Sequence, residues 1–167
     1  MSVLNQFEWN ENTAAVCDDV CDDGWVLCPF FRLIIDEMIG VADDLQRAWD
    51  PSYNVGRFPH RYGYDRKDDN VIIKIRTQFF SDDFPRFMGY LTDQLKRNNG
   101  GFIAGQNVTI ADCRLLPQLN YFQRAVGEHL PEHALDAYPE VVAYLERLRK
   151  VPAISSWPFQ HGSPVDH

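Results

Sequence analysis

The chain has 167 residues, 45% of them hydrophobic, so it is long enough to bury a core as a single domain. Its net charge of −8 argues against nucleic acid and anionic membrane surfaces as partners. No apolar run reaches the roughly 18 residues of a membrane-spanning helix, and no secretory signal is recognised at the N-terminus, so we expect a cytoplasmic protein.

Residues 1–28 carry three of the four cysteines and a cluster of aspartates. A short helix is expected to start here, with Thr13 or Asn12 as its N-cap. Cys17 and Cys21 would share one face of it. Thiolates beside carboxylates are poorly stabilised, however, and no histidine is near in sequence. We therefore interpret the segment as a solvated acidic face and expect no metal site there.

Residues 29–50 are predicted to form a long amphipathic helix. Pro29 suits its first turn, and Pro51 disfavours helical geometry at Asp50, where we expect the helix to end. Apolar residues recur at intervals of three and four, namely Phe30, Leu33, Ile34, Met38, Val41, Leu45 and Trp49.

Residues 53–66 are predicted to be a loop, and they form the only basic stretch of an acidic chain. Arginines alternate with aromatic residues here, at Arg57, Phe58, Arg61, Tyr62 and Tyr64. Such a loop can dock a planar or acidic partner through cation–π stacking and paired hydrogen bonds. The alternative is an ordered loop that packs its aromatic side chains on its own domain.

A helix is predicted to begin at residues 67–70, to be interrupted or kinked near Pro85, and to end at residues 98–101. Asn and Gly at that end suit the left-handed conformation that terminates helices. Another helix should begin at Thr109 and run to about Gly127. We expect a kink in it at Pro117, which cannot donate a backbone hydrogen bond.

The last strong helix is predicted over residues 139–150 and should stop at Pro152. His129 and His133 lie in the loop before it. Pro131 breaks any helix that would bring these histidines to one face, so we expect no metal site there.

The stretch from Gly105 to Asp112 contains a clear helix start. The hydroxyl of Thr109 can accept the backbone N–H of Asp112, and the Asp112 carboxylate can accept the N–H of Thr109. This pattern is a capping box with Asp in place of Glu, and we interpret it as structural rather than catalytic.

Residues 100–112, which read GGFIAGQNVTIAD, resemble the signature that opens the central helix of the C-terminal domain of glutathione S-transferases. Residues 138–154 resemble the late "YP…V…P.I" helix of that family. The resemblance covers about residues 29–157. It implies an all-α orthogonal bundle of five to six helices over residues 29–160, followed by a tail over residues 161–167.

The same resemblance implies binding residues. Thr13 matches a turn residue that holds the γ-glutamyl carboxylate of glutathione, although a plain N-cap is the alternative. Asp44 matches an acid that reaches across a dimer interface toward the glutathione amino group, and a solvent-facing helix charge is its alternative. Tyr53 is the nearest match to an aromatic residue that lines the pocket for the second substrate.

Residues 1–28 resemble only the end of the thioredoxin-like lobe that precedes the helical domain in the family. About eleven residues come before the turn that begins at Asn12, against the roughly 60 that such a lobe needs. In the family this lobe activates the glutathione thiol, and no residue of the chain matches that role. We therefore expect little or no activity of the chain alone.

The resulting expectation is a non-catalytic binding or assembly subunit without a cofactor. It would join a protein partner or a second copy through the face that otherwise covers the thioredoxin-like lobe. One alternative is a glutathione transferase acting on apolar electrophiles, truncated or completed by another chain. A further alternative is a ligandin-like carrier of hydrophobic small molecules.

Overall fold

A computed structural model describes residues 29–125 and 127–156, and the packing below involves residues 35–156. The predictions for residues 1–28, including Thr13, and for the tail 161–167 lie outside the described residues. Six α-helices are present in the described ranges: α1 Pro29–Arg57, α2 Asp69–Gln78, α3 Phe84–Arg97, α4 Ile110–Gln123, α5 Pro139–Arg149 and α6 Pro152–Ser155. These ranges contain no strand, which confirms the predicted all-α fold.

Helix α1 buries the inner part of the predicted stripe. Met38, Ala42 and Leu45 are fully buried, and Trp49 is almost so. Their spacing of three and four residues keeps them on one helix face. None of the helices in the described ranges has the length and apolar character needed to cross a membrane.

The predicted end of α1 at Asp50 is wrong, because the helix continues through Pro51 to Arg57. A proline inside a helix costs about 3 kcal/mol. The added turns bury Val55, which contributes about 1.5–3 kcal/mol. They also approach α2 closely, since a Cβ on Gly56 would lie 3.1 Å from Ile72 Cδ1. Tertiary packing therefore offsets the local preference of the sequence.

Helix α2 begins as predicted, with Asp68 as its N-cap accepting the Asn70 N–H at 2.9 Å. The predicted interruption before Pro85 is a π-helical turn, Phe79–Asp83, that leads into α3. In this turn the N–H of Phe84 donates to the carbonyl of Phe79. The wider turn keeps the rings of Phe79 and Phe84 on the inner face, where each residue is 2% exposed.

An aromatic cluster joins α1, the π-helical turn, the start of α3 and α4. Phe122 lies at its centre, with ring centroids 5.2 Å from Phe84, 5.4 Å from Trp49 and 5.8 Å from Phe79. The pairs with Trp49 and Phe84 are edge-on and the pair with Phe79 is stacked. Aromatic pairs of this kind stabilise a core beyond their buried area. Helix α5 packs on α3 and α4 beside this cluster.

The remaining helix ends follow the sequence with small shifts. Helix α3 ends at Arg97, and Asn99 and Gly100 then take left-handed conformations, as predicted. Helix α4 runs on through Pro117 and ends at Gln123, before the predicted Gly127. Pro152 lies beyond the end of α5 and occupies the first turn of α6.

Candidate functional site

Thr109 and Asp112 form the predicted capping box at the start of α4. The Thr109 N–H donates to Asp112 Oδ2 at 2.7 Å, and the Thr109 hydroxyl donates to the same oxygen at 2.8 Å. The box therefore supplies the backbone hydrogen bond that an uncapped helix start would lack.

The Asp112 carboxylate also has two long-range partners that the sequence does not reveal. Its Oδ1 accepts the Ile103 N–H at 2.9 Å and the Tyr144 hydroxyl at 2.7 Å. Asp112 and Tyr144 are fully buried. Burial, and then the neighbouring Asp112 carboxylate, raise the pKa of Tyr144 well above its usual value. The phenol proton is thereby held in the hydrogen bond.

The turn between α3 and α4 is fixed around the same carboxylate. Asn98 Nδ2 donates to the Ile103 carbonyl at 2.8 Å, and Arg147 Nη2 donates to the Gly101 carbonyl at 3.1 Å. A Cβ on Gly101 would lie 2.4 Å from the Gly105 carbonyl oxygen, so only glycine fits there. We call Asp112, Tyr144 and this turn the Asp112 hub. Its carboxylate already accepts four hydrogen bonds, so the hub is structural.

A cleft of about 370 Å³ lies between α1 and α4. Nine residues line it: Leu45, Gln46, Trp49, Tyr53, Arg114, Pro117, Gln118, Tyr121 and Phe122. The first four belong to α1 and the others to α4. A volume of this size suits a small organic molecule.

Aromatic rings dominate the cleft and are held firmly. The Trp49 ring centroid lies 5.8 Å from that of Tyr121, and the Arg76 guanidinium carbon lies 5.4 Å from the Trp49 centroid. Arg76 is buried, and its Nε and Nη1 have no acceptor among the described residues, so the Trp49 ring is its identified partner. Burial raises the pKa of Tyr121. Planar apolar ligands are the natural match for such walls.

Gln118 differs in its hydrogen bonding from the other amide and charged residues that line the cleft. It is 9% exposed, and neither Nε2 nor Oε1 has a hydrogen-bond partner within the described ranges. By contrast, Gln46 donates to Asp50 at 2.6 Å, and Arg114 donates to Asp43 at 2.9 and 2.7 Å. An unpaired buried amide is costly to a fold. Both amide atoms have almost no accessible surface, so a ligand in the cleft does not reach them.

The structure brings one of the predicted ligand-binding residues to the cleft. Tyr53 lies at its edge and is 48% exposed. Asp44 is exposed on α1 and pairs with Arg47 at 2.8 Å, and it does not line the cleft.

The predicted docking loop is partly helical and holds its own cation–π contacts. Arg57 belongs to the last turn of α1, and residues Pro59–Tyr62 form a 3-10 turn. The guanidinium carbons of Arg57 and Arg61 lie 5.4 and 4.7 Å from the Phe58 ring centroid. Tyr62 and Tyr64 are exposed.

His129 lies beside Asp69 and Glu128 in an exposed cluster. Lys67 already bridges the two carboxylates, with Nζ 3.4 Å from Asp69 and 2.8 Å from Glu128. This ammonium group satisfies the charge that would attract a metal ion. The hydrogen bond from Lys67 lowers the pKa of Glu128.

Sequence reasoning does not identify Gln118 as a residue of the cleft wall. The available signal was its position, three residues after Leu115 and four before Phe122, which places an amide within the buried face of α4. Nothing local indicates that the amide lacks a partner, because this depends on the packing of α1 against α4.

Comparison with known families gives one match. A model described as "Glutathione S-transferase, C-terminal domain" matches residues 60–159, which is more than half of the chain. A search of curated proteins found no match.

Solved structures with the same fold include two proteins. Monomeric Na-GST-3, a glutathione S-transferase from the hookworm Necator americanus, is 23% identical with a TM-score of 0.64, over 84% of this chain and 62% of that one. NaGST-2 is 23% identical with a TM-score of 0.60, over 78% of this chain and 57% of that one. The chain therefore spans less than two thirds of each.

Proposed function

The chain belongs to the glutathione S-transferase family through its C-terminal domain, and on that premise we propose that it is a cytoplasmic, non-catalytic binding subunit. Its ligand is a planar, apolar small molecule held in the cleft between α1 and α4. The proposal combines two of the functions expected from the sequence, a non-catalytic binding subunit and a ligandin-like carrier of hydrophobic small molecules.

The observation that carries the proposal is the composition of the cleft. Trp49, Tyr53, Tyr121 and Phe122 surround a volume of about 370 Å³, and Tyr53 leaves part of its ring exposed at the edge. Ligand sites are typically concave and mostly apolar, with few polar groups. Rigid aromatic walls lose little conformational entropy when a ligand enters.

The test is a titration of the purified 167-residue protein with anilinonaphthalene sulfonate, a dye that fluoresces in apolar sites. We expect saturable binding to one site. The substitution Tyr53→Ala should weaken binding by about two- to tenfold, because it removes an aromatic contact.

The matched control is Tyr90→Ala, which removes a tyrosine of similar exposure on α3, outside the cleft. It should leave dye affinity unchanged. Dye binding that does not saturate, or that falls equally in both variants, would contradict the proposal.

We further propose that the subunit assembles with a protein partner or a second copy. The exposed Arg61, Tyr62 and Tyr64 support a docking role, since arginine and tyrosine are enriched at interfaces. Sedimentation velocity of the purified protein should show a dimer if a second copy is the partner. If it shows only a monomer, including at high concentration, self-association is excluded.

The second candidate function is glutathione transfer to apolar electrophiles, by a helical domain completed by another chain. The family match favours it. It predicts that the isolated protein binds glutathione weakly through Asp44, whereas the non-catalytic proposal predicts neither glutathione binding nor conjugation. Calorimetric titration with glutathione separates the two, and turnover of glutathione with chlorodinitrobenzene by the purified protein would contradict the non-catalytic proposal outright.

A further inference from the structure

We propose that the cleft between α1 and α4 prefers planar aromatic molecules that carry an anionic group, and that Arg57 binds this group at the Tyr53 end of the cleft. The inference rests on the proposed function, because it assigns a ligand class to the same cleft. It adds an accessible charged residue to a site that is otherwise defined by its aromatic walls.

Arg57 lies beside the exposed edge of the cleft. It occupies the last turn of α1, one turn beyond Tyr53, which lines the cleft and is 48% exposed. The Arg57 Nη1 donates a long hydrogen bond to the Tyr53 hydroxyl oxygen at 3.4 Å. Arg57 is itself exposed. A substituent on a ring that packs against Tyr53 can therefore reach the guanidinium group without entering the core.

The guanidinium group of Arg57 is not neutralised by a carboxylate in the part of the chain that the structure describes. No ion pair between described residues includes it, and its guanidinium carbon lies 5.4 Å from the Phe58 ring centroid. The group stays protonated at neutral pH and presents its N–H donors in a plane. An oxyanion such as a carboxylate accepts from two of these donors at once, so it is the complementary ligand group.

Arg76 adds a second positive charge near this end of the cleft. Burial raises the pKa of the lining residue Tyr121, the Arg76 charge lowers it, and Tyr53 raises it further, so these three side chains lie close together. Glu128 follows α4, but Lys67 pairs with it at 2.8 Å and offsets its charge. The field of Arg76 therefore favours an anion at the Tyr53 end, even without direct contact.

The opposite end of the cleft does not suit an anion. Arg114 is the cation of that end, and Asp43 already pairs with it at 2.7 Å. Asp50 lies two turns before Arg57 on α1, about 10 Å away along the helix axis. An anion at that end would have to displace one carboxylate and approach another. The charges therefore orient the ligand with its anionic group toward Tyr53.

The experiment compares three naphthalene derivatives by isothermal titration calorimetry on the full chain at neutral pH. The first, 1-naphthoate, is an anion, 1-naphthamide is a neutral counterpart of the same shape, and 1-naphthylmethylamine is a cation. We expect the naphthoate to bind about two- to fivefold more tightly than the naphthamide, since an ion pair with Arg57 is exposed to solvent. Added salt should reduce this ratio toward one, because it screens exposed charges.

Variants assign the preference to one side chain. Arg57→Gln and Arg57→Met should bring the naphthoate-to-naphthamide affinity ratio close to one, whereas Arg57→Lys keeps the charge and should retain part of the preference. Arg97→Gln makes the same change in net charge at an exposed position on α3, outside the cleft, and should keep the ratio. Two neutral substitutions at Arg57 keep the test informative if one variant folds poorly.

The outcomes separate the inference from the proposed function. Equal binding of the naphthoate and the naphthamide by the unmodified protein, or a ratio that persists in both neutral Arg57 variants, overturns the inference and leaves the cleft as a binding site. Tighter binding of the naphthylmethylamine than of the naphthamide also overturns the inference. Failure of all three compounds to bind overturns the proposed function itself.

Discussion

Asp112 and Gln118 lie six positions apart on α4, and both are buried, but their surroundings are opposite. The Asp112 carboxylate accepts four hydrogen bonds, from Thr109, Ile103 and Tyr144. The Gln118 amide has none within the described ranges. The first residue joins α4 to a turn and to α5, whereas the second belongs to the wall of the cleft.

The two residues illustrate opposite effects of a buried polar group on the stability of the fold. A fully paired group specifies the fold, because removing it leaves several donors unsatisfied. An unpaired group weakens the fold, because the cost of its desolvation is not offset by a hydrogen bond. The two residues should therefore respond to substitution with opposite signs.

The largest expected effect is that of Asp112→Ala. It should lower the free energy of unfolding by about 4 kcal/mol or more, since it leaves the Ile103 and Thr109 N–H groups and the Tyr144 hydroxyl without their acceptor. Urea unfolding followed by circular dichroism measures the change. Asp44→Ala, which removes an exposed carboxylate from α1, is the control and should change stability by less than about 0.5 kcal/mol. A loss below about 1 kcal/mol for Asp112→Ala would refute the structural role of the hub.

The next effect is that of Tyr144→Phe, which removes one hydrogen bond and keeps the ring. We expect a loss of about 1.5–3 kcal/mol, because the hydroxyl donates to a carboxylate. The variant should also change how the free energy of unfolding depends on pH in the alkaline range. Burial and Asp112 raise the pKa of Tyr144 in the folded state, so its contribution is complete below the unfolded pKa of about 10 and is lost as pH rises above it.

Urea unfolding between pH 8 and pH 11 measures this dependence. The stability of the unmodified protein should decline more steeply above pH 10 than that of Tyr144→Phe. Parallel declines in the two proteins would show that the phenol proton is not held by the Asp112 hub.

A smaller effect of opposite sign is expected for Gln118→Leu. The substitution removes an unpaired buried amide and keeps a side chain of similar size, so stability should rise by about 1–2 kcal/mol without ligand. Thermal unfolding by calorimetry gives the shift. A loss of stability comparable to that of Tyr144→Phe would mean that the amide is a structural group after all.

The smallest effect is expected for Arg61→Ala in the predicted docking loop. Its guanidinium stacks on Phe58 at an exposed position, so the loss should be no more than about 0.5–1 kcal/mol. If partner binding falls in this variant while urea unfolding changes little, the docking proposal is strengthened. If stability falls by several kcal/mol, the loop is a structural element and the alternative interpretation is correct.

The sequence predicts the capping box of the Asp112 hub, because that part of the hub is local, but not its long-range contacts. The capping box follows from the identities of two residues three positions apart. Ile103 and Tyr144 enter through the folding of a turn and a later helix, and no local pattern identifies them. The predicted helix starts within residues 67–70 and at Thr109 are confirmed, because their signals are also local. The predicted end of α1 is wrong, because the packing of Val55 and Gly56 outweighs the local effect of Pro51.

The cleft was less predictable than the hub. Tyr53 was found through the resemblance to the transferase family, and the structure does place it on the cleft. Gln118 was not found, since a glutamine in an apolar helix face is usually paired. Whether it is paired depends on the space between α1 and α4, which exists only in the folded chain.

The most direct measurement follows the Trp49 side chain, which lines the cleft. In an amide-detected nuclear magnetic resonance spectrum, the Trp49 indole N–H signal can be assigned by its disappearance in Trp49→Phe. Titration with anilinonaphthalene sulfonate should shift this signal in a saturable way, while the Asn98 side-chain amide, which is bonded to the Ile103 carbonyl, stays in place. An unchanged Trp49 signal at a saturating dye concentration would contradict the account.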